Sequence, residues 1–258
     1  MRFLGLHLLQ SVELVDSPRP SAVAAVDAEG ALQGLTFAAR DADVLAALGA
    51  PPAVVAVDAP LTVANETGQR DAELILAWCD VPAFPVSRRR LAQVFGGIRG
   101  PGLRAAAPHG IEMVETLPDL VLRLMLYEEA FGAEQVDLLD YRARWLGLRP
   151  PVYRPKGAGR ARGAGILEAA ALVGRHVDLG GWAPSTRTDD WTAIRDAAAL
   201  DAILCATVAR RTSLPGATAT IGHPARGALV VPVDANLAAR LRVNQARLAG
   251  EGAISPGG

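Results

Sequence analysis

The sequence predicts an α/β fold built on one mixed sheet, and three observations point to it. The first part of the chain offers short apolar runs joined by tight-turn compositions, the pattern of an antiparallel meander. The run Val54-Val-Ala-Val57 is continuously apolar rather than alternating, as expected of a strand covered on both faces. Beyond it, strand-like and helix-like segments alternate, which calls for parallel strands with helices on both faces of the sheet.

Taken in order, Phe3 to Leu9 reads as a first strand, followed by a loop at Ser17-Pro-Arg-Pro-Ser21. Ala22 to Val26 and Ala31 to Phe37 read as a hairpin turning at Asp27-Ala-Glu-Gly30, so three antiparallel strands open the chain. Asp41 is placed to cap a helix ending at Leu48, before Gly49 and two prolines. After the strand at 54–57, a helix is expected from Gln69 to Trp78, then a Pro-, Gly- and Arg-rich insertion from Val81 to Gly110 with one or two short helices. Ile111 to Glu115 reads as another inner strand. Helices follow from Pro118 to Phe131 and from Ala133 to Leu146, then a basic, Gly-rich loop to Gly165 and a helix from Ile166 to His176. Thr188 or Asp189 can cap a long helix from Trp191 to Arg210, apolar nearly all round from Ala197 and therefore buried. A hairpin from Ala217 to Val233 and a helix from Asn236 to Leu248 close the chain. The expectation is a single domain over 1–249 with insertions at about 81–110 and 119–165, and a frayed tail at 250–258.

Half of the 258 residues are apolar, enough for a large core without staples. Cys79 and Cys205 lie far apart with no metal-ligand spacing, fitting small buried hydrophobes in a reducing, cytoplasmic compartment. The apolar start from Met1 to Gln10 is too short to span a membrane and lacks a cleavage pattern, so no membrane partner is expected. A net charge of −1 and a pI near 6.4 exclude a global polyanion binder. Contact with nucleic acid, a candidate partner, would have to use local basic patches. One is the loop carrying Arg149, Arg154, Lys156, Arg160 and Arg162 among glycines; Arg88 to Arg90 form another, with surface charge as their default role. No feature specifies an oligomeric state, and no Ser-His-Asp or Cys-His arrangement stands out.

Carboxylates supply the best candidate site. Asp58 follows a buried strand, where the ends of strands in α/β sheets form a ligand crevice, although it could equally cap the turn at Ala59-Pro60. Glu115 ends a strand in which Ile111 and Met113 share its face; it is either a ligand or a strand end meeting water. Asp201 lies on a helix with Ala197, Ala198, Leu204 and Cys205 three or four positions away. A carboxylate in such an apolar stripe must be paired, neutralised or bound to a cation, so it either pairs with an arginine or serves as a ligand. Asp196 lies about 140° around that helix from Asp201 and faces elsewhere. Arg70, opening the helix after the Asp58 loop, is placed to reach the crevice.

The segments Val55-Ala-Val-Asp-Ala-Pro-Leu61, Gly68-Gln-Arg70, Glu115-Thr-Leu-Pro118, Tyr153 with Lys156, Leu200-Asp-Ala-Ile-Leu-Cys-Ala206, Ile221-Gly222 and Val230-Val-Pro232 together resemble the domain of unknown function 429 family. They occur in order along nearly the whole chain. The resemblance implies a ribonuclease H-like fold and a metal-dependent nuclease or phosphodiesterase, with acidic residues from two strands and a late helix converging on Mg or Mn. On it, Asp58, Glu115 and Asp201 are the catalytic and metal-binding carboxylates; the candidate substrate-binding cations, read from their placement instead, are Arg70 and the loop residues Arg154, Lys156 and Arg160, for which a solvated loop is the alternative. Two departures stand out: the family's first strand reads Gly, an aliphatic, then Asp, where this chain has Gly5-Leu6-His7, and its late helix offers two aspartates three apart, where this chain has Ala198 and Asp201. His7 is thus a metal ligand of altered preference, since imidazole suits manganese or zinc better than magnesium, or the mark of an inactive nucleic-acid or protein binding module that kept the fold.

Overall fold

A computed structural model describes residues 1–9, 20–154, 162–185 and 189–253. The chain opens with strands β1 (Arg2–His7), β2 (Ser21–Val26) and β3 (Leu32–Ala38), then helix α1 (Asp41–Leu48) and strand β4 (Ala53–Val57). Helices α2 (Asp71–Trp78), α3 (Arg88–Phe95) and α4 (Gly100–Ala106) lead to strand β5 (Ile111–Glu115). Helices α5 (Pro118–Phe131), α6 (Leu138–Gly147), α7 (Arg162–His176) and α8 (Asp190–Arg211) follow, then strands β6 (Thr218–His223) and β7 (Gly227–Pro232) and helix α9 (Ala235–Ala253).

The main sheet has five strands in the order β3-β2-β1-β4-β5. The pairs β1/β2 and β2/β3 are antiparallel, and β1/β4 and β4/β5 are parallel, so the mixed sheet expected from the sequence is present. The first hairpin turns as its composition demands, with Asp27 Oδ1 accepting from the amides of Gly30 and Ala31 at 2.8 Å each. All five residues of β4 are buried, which accounts for its unbroken apolar run. β6 and β7 form a separate two-stranded sheet rather than extending the main one.

Alternation along the strands divides the core. Phe3, Ala22, Ala24, Val54 and Ala56 face a layer made by α8, α7 and α5. Leu4, Leu6, Val55, Val57 and Met113 face the opposite side, where Val44 and Leu48 of α1 and Leu103 of α4 cover them. Helices therefore cover both faces. Another apolar cluster joins α2, α5, α6, α9 and the β6/β7 pair around Tyr127, Tyr141 and Trp145.

α8 crosses β1 at close range. A Cβ added to Gly5 would lie 1.9 Å from the carbonyl oxygen of Ala202 and 2.1 Å from the amide nitrogen of Ala206, so only glycine permits this approach. On the helix side the seam is Ala198, Ala202, Ala206 and Ala209, all buried. Small residues on both partners bring the two backbones together.

Several expectations about element ends are corrected. Asp41 is the first residue of α1 rather than its cap; the cap position is Arg40, with no side-chain bond, and Asp41 instead pairs with Arg99 at 2.6 Å. The second interstrand helix of the later insertion begins at Leu138, because Asp137 accepts from the amides of Leu139 and Asp140 and starts it there. Asp189 is the cap of α8, taking the amide of Thr192 at 2.8 Å. The closing helix runs from Ala235 to Ala253, longer at its end than the expected Asn236 to Leu248. The loop at 17–21 and Thr188 lie largely outside the described residues. No helix among the described residues is long and apolar enough to cross a membrane. Both cysteines are buried and free.

Two substitutions test this architecture. Gly5→Ala should force α8 off β1 and cost about 3 kcal/mol, the scale of a severe overpacking, read as a lower urea midpoint. Asp80, just beyond α2, binds Arg142 of α6 at 2.8 Å and also Arg240 of α9, and these hydrogen bonds hold its carboxyl at about 2 against an ordinary 3.8. Because the folded value is depressed, the stabilisation is complete above the ordinary value and lost as pH falls from about 4 toward 2. Asp80→Asn should therefore cost about 1 kcal/mol at pH 7, after allowance for solvent screening, and progressively less in that acid window.

Candidate functional site

Three side chains that could hold a cation meet at the C-terminal ends of β1 and β4. His7 ends β1 on the same face as Phe3 and Gly5, the face that meets α8. Asp58 follows β4 with the parity of Val54 and Ala56, and its amide donates to the carbonyl of Leu6 at 2.9 Å, which aligns the two strand ends. Asp201 projects from α8 one residue before Ala202, at the seam with Gly5. His7 Nδ1 lies 3.2 Å from Asp58 Oδ2 and 3.3 Å from Asp201 Oδ2. One ligand atom from each of the three lies within 4.8 Å of the others.

Arg154 completes the cluster electrostatically. Its guanidinium donates to Asp201 through Nε at 3.0 Å and Nη2 at 2.8 Å, to Asp119 at 2.7 Å, and reaches Asp58 at 3.5 Å. Tyr153 adds a hydroxyl that donates to Asp201 Oδ1 at 2.5 Å. Gly165 of α7 helps hold this segment, since a Cβ there would sit 2.0 Å from the carbonyl oxygen of Val152. Asp201 itself is 1% exposed. The two roles weighed for Asp201, arginine pairing and cation binding, thus refer to one location.

The charges reshape one another. Burial opposes an imidazolium at His7, but the hydrogen bond to Asp58 and the negative charges of Asp201 and Asp58 outweigh it, and His7 sits above its ordinary value. Burial works against the Asp58 carboxylate too, yet Arg154 and His7 hold it below the ordinary range. Asp119 moves the other way, because burial and the nearby Asp201 and Asp58 outweigh Arg154. Burial, together with the charge of Asp201, drives the Tyr153 hydroxyl well above its ordinary value, so it remains a donor.

Glu115 does not join this cluster, and the reason is register. β4 and β5 pair with Val57 opposite Glu115, so Glu115 takes the face of Val57 and Met113, the opposite side of the sheet from Asp58. There its carboxylate accepts from Arg70 Nη1 at 2.9 Å, from Arg70 Nη2, and from the amide of Leu61 at 3.0 Å. Arg70 also binds Glu73 through Nε at 2.9 Å and the carbonyl of Thr62 at 2.9 Å. Arg70 and Glu115 therefore form a buried ion pair whose hydrogen-bonding groups are engaged within the protein, apart from the cluster of His7, Asp58 and Asp201. Burial raises the Glu115 carboxyl against the pull of Arg70, while Glu115 and Glu73 raise Arg70 in spite of burial.

The other predicted residues fall as follows. Asp196 accepts from the amide of Ser185 at 2.8 Å, away from Asp201 as helix geometry required. Arg149 donates to carbonyls at the end of α6. Arg88 donates to the carbonyl of Val63 and Arg90 lies over the Phe84 ring. Lys156 and Arg160 lie outside the described residues. Sequence reasoning missed Asp119, whose place one residue after the helix-opening Pro118 marked it only as a first-turn acid, and it missed Thr116, on the Asp58 side of the sheet.

Removing the buried cation should expose how these charges depend on one another. Arg70→Leu leaves Glu115 and Glu73 without their partner and should cost about 3–5 kcal/mol at pH 7. Urea unfolding checks it, and a loss below 1 kcal/mol would contradict the ion-pair assignment. No protein-family model, no curated protein and no solved structure matches this chain, so the meaning of the site rests on its own geometry.

Proposed function

We propose that this protein is a metal-dependent phosphodiesterase or nuclease of ribonuclease H-like architecture, with its centre at His7, Asp58 and Asp201. One observation carries the reading: ligand atoms of two carboxylates and an imidazole gather within 4.8 Å at adjacent ends of parallel strands, the usual ligand side of such a sheet. The strand order and the late helix bearing Asp201 accord with it.

The donor set fits a divalent cation. Carboxylates suit magnesium or manganese, and the imidazole tips the preference toward manganese. A cation there would stabilise the negative charge that builds on the phosphoryl oxygens. In the hydrolysis, a water oxygen bonds to phosphorus, the ester P–O bond breaks, and the proton released by the water ends on the leaving oxygen. Asp58 and Asp201 would supply the negative charge to hold such a cation. Arg154, held by Asp119, is the cation best placed to turn toward a non-bridging phosphate oxygen once Asp58 and Asp201 are otherwise engaged.

A second reading has a specific observation behind it. Arg154 already compensates Asp58, Asp119 and Asp201, the arrangement a binding module would need to keep the fold without metal. The two readings part on one experiment. The parent protein should quench the electron paramagnetic resonance signal of free manganese and hydrolyse bis(p-nitrophenyl) phosphate, and Asp58→Asn and Asp201→Asn should each lower the rate by about 100-fold. Equal rates in parent and variants would sink the hydrolase. Absence of manganese binding, with salt-dependent retention of oligonucleotides, would establish the binding module instead.

A further inference from the structure

Beside the cluster opens a cavity of about 360 Å³ whose wall is mostly apolar, made in part by Leu8, Phe84, Val86, Leu91 and Phe95. His7, Asp58 and Arg154 line the same cavity, as do Arg70, Glu73 and Glu115, whose charges are already paired with one another. Its size falls within the range of about 300–1,000 Å³ typical of small-molecule sites and is far too small for a duplex. Phe84 and Phe95 lie 5.9 Å apart at a tilt, and Phe84 is 40% exposed.

A second observation points the same way. Thr116 lines this cavity, is 3% exposed, and its Oγ1 has no hydrogen-bond partner, although its amide is engaged with the carbonyl of Val57. A buried hydroxyl without a partner carries a desolvation cost that a ligand atom could relieve. Thr116 continues β5 on the side of the sheet that carries Asp58, and it lines one volume together with the apolar wall and the charged residues.

We infer that this chamber seats the organic group of the phosphate ester, a flat ring with a hydrogen-bonding edge, with Thr116 Oγ1 bound to that edge and the phosphate at the His7, Asp58 and Arg154 end. Thr116 and Phe84 are then specificity-determining residues. The inference rests on the proposed hydrolase site and narrows its substrate to an ester whose ring is free to leave any stack. Such a ring comes either from a free nucleotide or from an unpaired base in a single strand.

Calorimetric titration with three phosphates, with and without manganese, tests it. Thymidine 5′-monophosphate carries a ring with a polar edge, phenyl phosphate a ring without one, and methyl phosphate no ring. Affinity should fall in that order. Thr116→Val should weaken thymidine 5′-monophosphate by about 3- to 10-fold, leave phenyl and methyl phosphate unchanged, and leave the urea midpoint equal or higher, because it removes an unpaired buried hydroxyl. Phe84→Ala, on a half-exposed side chain, should weaken both ring probes by about 3- to 10-fold and spare methyl phosphate. Tighter binding of a thymidine hexanucleotide than of the mononucleotide would assign the ring to a single strand, and the reverse to a free nucleotide. If manganese binds but methyl phosphate binds as well as the ring probes, or Thr116→Val weakens all three alike, the chamber assignment is overturned and the metal site stands. If manganese does not bind, the hydrolase is overturned, and the metal-free titrations decide the chamber by the same difference between thymidine 5′-monophosphate and phenyl phosphate.

Discussion

The close approach of α8 to β1 over Gly5 is the contact on which the rest of the structure depends. Helices ordinarily sit on sheets at a distance set by the side chains between them, but here a glycine faces a seam of alanines and the separation is set by backbone atoms. Side chains can change rotamer; backbone against backbone has almost no slack. The position of Asp201 relative to the ends of β1 and β4 is therefore fixed by main-chain geometry, and the spacing of His7, Asp58 and Asp201 inherits that rigidity. Burial then does the electrostatic work, since carboxylates this poor in water cannot stand unaccompanied.

Two arginines resolve that demand on opposite sides of the sheet. Arg154 spans Asp58, Asp119 and Asp201 from a half-buried position at the edge, while Arg70 is sealed between Glu73 and Glu115. The distinction is accessibility. Arg154 retains about a third of its side-chain exposure and can exchange partners, whereas Arg70 is 2% exposed at the side chain and is a fixed structural charge. Both arginines line the same cavity, but Arg154 is free enough to change partners there, whereas Arg70 is committed to holding α2 to β5.

Much of the fold was legible because periodicity and punctuation are local. The meander, the unbroken Val54 to Val57 run, the long apolar helix around Asp201 and the last hairpin all announce themselves within a dozen residues. Asp201 was legible for the same reason: a carboxylate among alanines and leucines contradicts its surroundings. The separation of Glu115 from Asp58 was not legible, because it depends on how β5 registers against β4, and a shift of one residue sends every side chain to the other face. Nothing local encodes that register. Arg70 does line the cavity beside Asp58, but its guanidinium is taken up by Glu73, Glu115 and the carbonyl of Thr62, partners that come together only in the folded chain. Thr116 and Asp119 were silent because each is an ordinary residue at an ordinary helix approach until the sheet places it beside Asp58.

The reach of Arg154 has a consequence for the order in which this molecule acquires its shape. One guanidinium ties residues 35, 47 and 96 positions distant in the chain. Loop-closure entropy opposes such contacts until the intervening elements have collapsed, so hairpins and helices form ahead of them. Asp119, Asp201 and Asp58 must already sit on docked α5, α8 and β4 before the arginine can find all three. The cluster is accordingly among the last things the folding chain assembles, and a partly folded molecule would carry its carboxylates apart, in water, with no common centre to offer.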